Sequence, residues 1–255
     1  MFKQMRILFA LLLLLFVAAS AYFTKMRVTS WENPLYVYVY PINGDGTQTT
    51  QTYIDRLTDS RFISISRFMA QQATEYENVT TEPFVITLSP QVMSKPPLPP
   101  IGGNIPQVMW WSMKLRFWSW THNTDPGLEP DIQMFVVYYD PNNVDRVPHS
   151  IGLSKGLIGV VHAFSNNQYN QSNNIVIAHE LLHTLGATDK YDLETNQPSY
   201  PLGYANPAQR PLYPQYRAEL MGGRIPVSST ESKMPHSFSQ TVIGPITATE
   251  IRWKQ

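Results

Sequence analysis

Short stretches of alternating apolar and polar residues predict the β-strands of this chain. Residues 35–42 (LYVYVYPI) alternate, are rich in β-branched and aromatic side chains, and are followed by the turn residues Asn43 to Gly46. Further apolar segments rich in β-forming residues predict strands at 84–89, 131–140 and 157–164.

Helical spacing of apolar residues predicts the helices that connect these strands. The expected helices span about Thr49 to Tyr76, residues 107–120, Ile175 to Leu185, and about Ser237 to Trp253, the last with an interruption at Gly244 and Pro245. Residues 196–216 are rich in Pro and Tyr and show neither helical nor strand periodicity. They therefore predict a long ordered loop, of the kind that is often functional. This order of elements predicts an α+β fold divided by a cleft.

The N-terminal segment predicts export from the cytoplasm. Two basic residues precede an apolar run from Ile7 to Phe23, and residues 19–21 (ASA) have the form of a signal-peptidase site. The run is also just long enough to cross a membrane. Residues 1–24 are therefore expected to be a cleaved signal peptide or a retained membrane anchor. Residues 30–255 are expected to form a single domain in the periplasm, outside the cell, or attached to the outer face of the membrane.

The composition of the chain limits the binding partners and the catalytic chemistry that can be expected. The formal net charge is zero, with 19 basic and 19 acidic residues, so the chain has no field that would attract nucleic acid. The chain also has no cysteine. Disulfides, thiolate ligands and a thiol nucleophile are therefore excluded, and a metal site in this chain must use histidine and carboxylate.

One segment has the spacing of a metal site on a helix. His179 and His183 lie four residues apart, so both imidazoles face one side of the helix and reach one ion. Glu180 lies beside that face, where it can deprotonate a metal-bound water whose pKa the metal lowers to about 7. Gly186 is expected to end the helix, and Asp189 then returns as a third ligand. Such a ligand set suits catalytic Zn²⁺ and amide hydrolysis.

The eleven residues His179 to Asp189 (HELLHTLGATD) resemble the active-site consensus of the metzincin zinc peptidases, in the aspartate variant that snapalysin-like enzymes have. The following KYD is similar to the corresponding run in immune inhibitor A peptidases. The resemblance implies a twisted mixed sheet with a backing helix and an active-site helix in residues 30–186. It implies an irregular C-terminal subdomain with a methionine turn and a helix in residues 187–255. It also implies a zinc endopeptidase with a peptide or protein substrate.

A metzincin carries a methionine in a tight turn beneath the metal, and Met221, followed by two glycines, is the candidate. Residues 159–164 resemble the edge strand that binds extended substrate. Some metzincins have a tyrosine two positions after this methionine, whereas this chain has Gly223 there. The candidates for the role of that tyrosine are Tyr191, Tyr213 and Tyr216.

Several alternatives stay open on sequence alone. Glu219 is a rival third ligand, which would give a gluzincin-like peptidase and leave Asp189 as a turn residue. A non-catalytic exported module with a structural metal site is another hypothesis. The tryptophan-rich segment 107–120 either packs against the core, which is favoured, or lies at a membrane interface. The remaining histidines, expected to lie outside any metal site, are His122, His149, His162 and His236. Oligomeric state has no signal in the sequence.

Overall fold

A five-stranded mixed sheet forms the centre of the fold. The computed structural model describes residues 2–76, 79–100, 102–122 and 129–254. The strands of the sheet are β1 (Leu35–Asn43), β2 (Phe84–Leu88), β3 (Ile132–Tyr139), β4 (Ile151–Leu153) and β5 (Ile158–Phe164). Their order is β2-β1-β3-β5-β4, with parallel pairing except between β5 and β4, which is antiparallel. The four predicted strands are confirmed.

The helices and the remaining strands make the chain a mixed α and β structure, in agreement with the predicted α+β class. The α-helices of the described residues are α1 (Phe2–Thr29), α2 (Gln48–Ile54), α3 (Ile63–Ala73), α4 (Ile105–Thr121), α5 (Asn170–Thr184) and α6 (Pro245–Glu250). In the C-terminal part, β6 (Ala218–Glu219) pairs in parallel with β9 (Thr241–Val242), and β7 (Ile225–Pro226) pairs antiparallel with β8 (Ser232–Lys233).

Helices cover the central sheet on both faces. Alternate residues of β1 point to opposite sides, so Val39 joins the apolar cluster that includes α3 and α5, whereas Tyr40 joins the cluster that includes α4. Trp111 and Leu115 attach α4 to the sheet, so core packing of segment 107–120 is confirmed for one face of this helix. The helix that carries both motif histidines and the tryptophan-rich helix therefore lie on opposite faces of the sheet.

The single long helix predicted from Thr49 to Tyr76 is wrong. The chain forms α2, a turn and then α3, and Thr58 in the turn is extended, with φ −142° and ψ 162°. Asp59 Oδ1 in the same turn accepts a hydrogen bond from Leu88 N at 2.6 Å. This contact with the end of β2 holds the turn between α2 and α3, although the apolar spacing in the sequence continues through this turn.

The predicted C-terminal helix is present only after the predicted interruption at Gly244 and Pro245, and the stretch from Ser237 to that point is not an α-helix. This stretch holds a 3₁₀ turn, strand β9 and then α6, which begins at Pro245. Gly244 is extended, and its N–H donates to Glu219 Oε1 at 3.1 Å, so the chain before α6 is held by a distant side chain. Proline suits the first turn because its missing N–H would have no helical partner there.

The prediction that residues 159–164 form an edge strand is wrong, because β5 lies between β3 and β4. The edge strand is β4, whose three residues are too few to show a period in the sequence. Beyond β4, the side chains of Ser150 and Asn173 accept the His162 and Phe164 N–H groups. β5 is therefore paired or capped along the side that faces away from β3.

Most of the N-terminal helix α1 is exposed. Among the described residues, the stretch Gln4–Thr29 is long and apolar enough to cross a membrane, and its most apolar 18 residues have a mean hydropathy of 2.5, with none of them buried. A signal sequence or a membrane anchor would both have this property. The helix ends in the core, since Val28 is 8% exposed and Trp31 donates its indole N–H to Ile251 O at 2.8 Å.

Candidate metal centre

Helix α5 positions the two motif histidines. Its first turn is polar, and Asn173 and Asn174 attach it to Phe164 and to the loop before α3, which explains why α5 begins five residues before the helix predicted from apolar spacing. The helical repeat then places His179 and His183 on one face, with their Nε2 atoms 3.0 Å apart.

The chain turns back after α5 and brings Asp189 to the histidines. α5 ends at Thr184, and Gly186 has a φ of +102°, a conformation that glycine adopts without strain. Asp189 Oδ1 then lies 3.1 Å from His179 Nε2 and 3.0 Å from His183 Nε2. The structure therefore brings together the three side chains that the sequence proposed as ligands, and this group can hold a metal ion.

Backbone carbonyls orient both imidazole rings. His179 Nδ1 lies 2.9 Å from Leu220 O, and His183 Nδ1 lies 2.8 Å from Ala187 O. Because a carbonyl only accepts, both Nδ1 atoms carry the proton in the neutral rings. Each Nε2 then has a free lone pair directed at the same point, which is the arrangement that metal-binding histidines use.

The donor set fits zinc. A tetrahedral Zn²⁺ with ligands at about 2.0–2.1 Å separates them by about 3.3 Å, and the three donor atoms here lie 3.0 to 3.1 Å apart. Two imidazole nitrogens with one carboxylate oxygen also match the ligand types of catalytic zinc. Within the described residues the group has three protein ligands, whereas a structural zinc site normally has four.

Electrostatic coupling within the group is strong. Burial opposes a charge on His179, but the protonated ring can donate from Nε2 to Asp189, and this bond and the nearby charge of Glu180 outweigh the effect of burial and raise the pKa of His179. Burial would likewise raise the pKa of Asp189, but its hydrogen bonds with both histidines hold this pKa well below its usual range. The aspartate is therefore ionised at neutral pH, as a metal ligand must be.

Glu180 lies beside the three ligands and is not one of them. It is 6% exposed, its Oε2 atom has no hydrogen-bond partner in the described structure, and it lines the same cavity as His179. Burial raises the pKa of Glu180, and the two histidines oppose this shift only in part. An unpartnered buried carboxylate oxygen next to a cavity is costly for the fold, and such groups occur at functional sites.

Met221 lies in a tight turn next to the ligands. Residues Leu220 to Gly222 form a 3₁₀ turn, and Gly223 follows with a φ of +71°. The Leu220 carbonyl contacts His179, as described above, and Met221 O accepts a hydrogen bond from Lys190 N at 2.9 Å. The fully buried Met221 side chain belongs to the same apolar cluster as Leu182 of α5. The turn thus connects the histidine helix to the loop that carries Asp189.

Glu219, the rival third ligand, is not part of the group of possible metal ligands among the described residues. Its two oxygens accept hydrogen bonds from Gly222 N at 2.8 Å, Gly244 N at 3.1 Å and Thr247 Oγ1 at 2.7 Å. Burial raises the pKa of Glu219, against the effect of these bonds. This carboxylate connects the methionine turn to the start of α6, a structural role that its place in the sequence does not reveal.

A cavity of about 260 Å³ opens beside the metal group. Its lining includes His179, Glu180, Tyr191 and His149. His149 was expected to have no part in the site, yet it lies close enough for its charge to affect the pKa of Glu180. A single histidine in a loop has no local pattern, so only the tertiary structure reveals this position.

Among the tyrosine candidates, Tyr191 lies at the site. Its ring centroid is 6.2 Å from that of His179, and burial together with Asp189, to which it is hydrogen-bonded, raises the pKa of Tyr191 to about 12. Tyr213 bonds the hydroxyl of Tyr204 at 2.7 Å, and Tyr216 is 77% exposed. The Tyr191 ring also lies next to Gly223.

Glu250 in α6 holds the loop on both sides of Asp189. Its carboxylate accepts hydrogen bonds from Thr188 Oγ1 at 2.7 Å, Thr188 N at 3.1 Å and Lys190 Nζ at 2.7 Å. Lys190 is 4% exposed, so this ion pair is largely shielded from solvent. The two neighbours of the aspartate are thereby attached to one carboxylate on a different element.

We expect Glu250→Ala to weaken Zn²⁺ binding by roughly 10–100-fold, the range typical of losing a residue that orients a ligand. The reason is that the loop carrying Asp189 loses three hydrogen bonds. Competition with a fluorescent zinc chelator measures the affinity, and Glu231→Ala, at an exposed position, is the matched control. Equal affinities in both variants would show that Glu250 does not position the ligand.

Comparisons with known proteins leave the family open. No protein-family model matches the chain, and no curated protein matches it. Among the solved structures that match is one described as "Structure of a chaperone-substrate complex", with 12% sequence identity and a TM-score of 0.43. The match covers 86% of this chain and 33% of that one, so the chain spans about a third of the length of that structure. A likeness of this degree supports no conclusion about function.

Proposed function

We propose that this chain is an exported, zinc-dependent endopeptidase of the metzincin type, whose motif resembles those of the snapalysin-like and immune inhibitor A enzymes. The observation that carries the proposal is the convergence of His179, His183 and Asp189 within 3.1 Å of one another, beside the buried and unpartnered carboxylate of Glu180. Three ligands with a neighbouring base support catalysis over a structural metal site.

Different residues of the chain would have different roles in hydrolysis. When bound, Zn²⁺ would polarise the scissile carbonyl and lower the pKa of a water molecule. His179, His183 and Asp189 would hold the ion, and the carbonyls on the two Nδ1 atoms keep the rings in place. Glu180 accepts the proton of the attacking water and returns it to the leaving amine. Its raised pKa suits a group that must first take and then release a proton.

The edge strand β4 gives a place for an extended peptide. No described strand pairs with its outer side, and its antiparallel partner is β5. A Cβ atom at Gly152 would lie 2.5 Å from Glu180 O and from His183 Cβ, so β4 runs directly against the histidine helix. A substrate that adds a strand to β4 would therefore pass next to the metal group.

Removal and return of metal tests the proposal. We expect the purified chain to bind one Zn²⁺ and to cleave a mixed peptide library, with cleavage lost after treatment with a chelator and restored by Zn²⁺ but not by Mg²⁺. The donor set contains two imidazole nitrogens, which Mg²⁺ does not favour. Mass spectrometry of the products measures cleavage. Cleavage by the metal-free chain, or a zinc-loaded chain without cleavage, would reject the proposal.

Tyr191 is proposed as a hydrogen-bond donor to the oxygen that gains charge during the reaction. Because its pKa is raised to about 12, its hydroxyl keeps its proton at neutral pH. We expect Tyr191→Phe to lower kcat by about 10²–10³-fold, the usual effect of losing such a donor, with a small change in KM. Tyr216→Phe, at a 77% exposed position, is the control. If kcat were the same in both variants with zinc bound, Tyr191 would have no such role.

A further inference from the structure

Helix α4 has a second apolar face that points away from the sheet. Trp111 and Leu115 are buried against the core, whereas six large apolar side chains on the other side are between 58% and 77% exposed. These side chains are Ile105, Met109, Trp110, Met113, Phe117 and Trp120. Most of them follow a spacing of three or four residues and so form one stripe along the helix. A helix on the surface of a soluble domain normally has polar residues at these positions.

The tryptophan and basic residues on the exposed part of α4 suit the interfacial region of a membrane. Aromatic rings and methionine form its exposed stripe, and the helix contains Lys114 and Arg116 but no acidic residue. Lys114 Nζ lies 5.5 Å from the ring centre of Trp110, at the border of the stripe. Basic residues beside an apolar stripe attract the anionic headgroups of lipids, and tryptophan is enriched at that depth.

The last turn of α1 lies close to the end of α4. Arg27, in the last turn of α1, bonds Asp131 Oδ2 at 2.9 Å. Asp131 and Trp120 line one surface depression, so the exit of the apolar helix is close to the exposed tryptophan. An ion pair and a shared surface therefore connect α1 to the region of α4.

No flexible linker separates α1 from the core. Phe23 closes the apolar run and is 67% exposed, whereas Val28 is already 8% exposed within the main apolar cluster. Five residues of helix rise about 7.5 Å, and the headgroup region on each side of a bilayer is roughly 5–8 Å thick. If α1 crosses a membrane, the adjoining surface of the folded part must lie against the headgroups.

We propose that α4 lies in the headgroup region of the bilayer that α1 crosses, with lipid covering its exposed apolar stripe. This contact fixes the orientation of the folded part on the membrane. The histidine helix α5 packs on the opposite face of the sheet from α4, so the metal group stays separated from the lipid by the sheet. The proposal does not depend on peptidase activity.

Depth-dependent quenching tests the proposal on the full chain. The absence of cysteine permits single labels, and Phe117→Cys carries a polarity-sensitive fluorophore on the stripe. Ile63→Cys is the matched control, because Ile63 is an apolar residue 45% exposed on α3, on the other face of the sheet. Both are reconstituted into vesicles of phosphatidylcholine and phosphatidylglycerol that contain nitroxide lipids. Met113→Cys repeats the measurement one turn away, in case one label disturbs the fold.

We expect the labels at positions 113 and 117 to be quenched severalfold more strongly by the nitroxide lipids than the label at position 63, with emission shifted to the blue. Equal quenching at all three positions would overturn the proposal. Labels that are shielded from aqueous iodide but not quenched by the lipids would show that a protein surface, such as a second copy of the chain, covers the stripe. That result would also overturn the assignment to lipid.

Discussion

Glu180→Gln is expected to keep Zn²⁺ bound and to lower kcat/KM for peptide hydrolysis by about 10²–10⁴-fold, or roughly 3–5 kcal/mol in transition-state free energy. The amide has the size of the carboxylate but cannot accept the proton of the attacking water. Because Glu180 is not among the three converging donors, the metal affinity is expected to stay unchanged. Peptide cleavage and bound zinc are measured on the same sample.

The stability of Glu180→Gln separates a catalytic effect from unfolding. The raised pKa of Glu180 means that the folded state binds this proton more tightly than the unfolded state, so at a pH above the folded pKa the ionised group lowers the stability of the fold. Glutamine carries no charge, so the variant is expected to unfold at an equal or higher urea concentration than the parent, both metal-free. Glu194→Gln, at an exposed position, is the control for activity. A zinc-loaded Glu180→Gln with undiminished cleavage would rule out Glu180 as the base and favour a structural metal site.

The sequence predicted the metal group well because its geometry is local. His179 and His183 are related by one helical turn, and Gly186 allows the chain to return within six residues of the second histidine. Helix periodicity and the conformational freedom of glycine are properties of short segments. The convergence of Asp189 with the histidines thus follows from a stretch of eleven residues.

The environment of the group required the tertiary structure. Glu250 lies 61 residues after Asp189 in the sequence, and the carbonyl of Leu220 has no signature at all, yet both fix the position of a ligand. The same limit explains the errors in the fold. Asp59 breaks a helical pattern through a bond to Leu88, and β4 is defined by pairing rather than by periodicity.

The tryptophan-rich helix shows a different limit. Its pattern is apolar on every side, so the sequence could not distinguish packing against the core from contact with a membrane. In the structure one face of the helix packs against the core, where Trp111 is 8% exposed, whereas the opposite face is open and Trp120 is 73% exposed. Only the tertiary structure shows which face of the helix the sheet covers, and therefore which face stays exposed.

Asp189→Ala is expected to weaken Zn²⁺ binding by more than the roughly 10–100-fold that follows from losing an orienting residue, and to abolish cleavage. Its carboxylate contributes the oxygen of the donor set, and its low pKa keeps it ionised where zinc binds. Glu219→Gln is the matched comparison at the rival position and is expected to bind zinc with unchanged affinity. Chelator competition measures both affinities.

Glu219→Gln is expected instead to lower the free energy of unfolding by about 1–3 kcal/mol, because its amide nitrogen would face the Gly222 N–H and leave that buried donor without an acceptor. Urea denaturation of the metal-free variants measures this loss. The two substitutions thus distinguish a residue that binds the ion from a residue that stabilises the turn beneath it. If Asp189→Ala kept full zinc affinity while Glu219→Gln lost it, the third ligand would be Glu219 and the site would be of the gluzincin type.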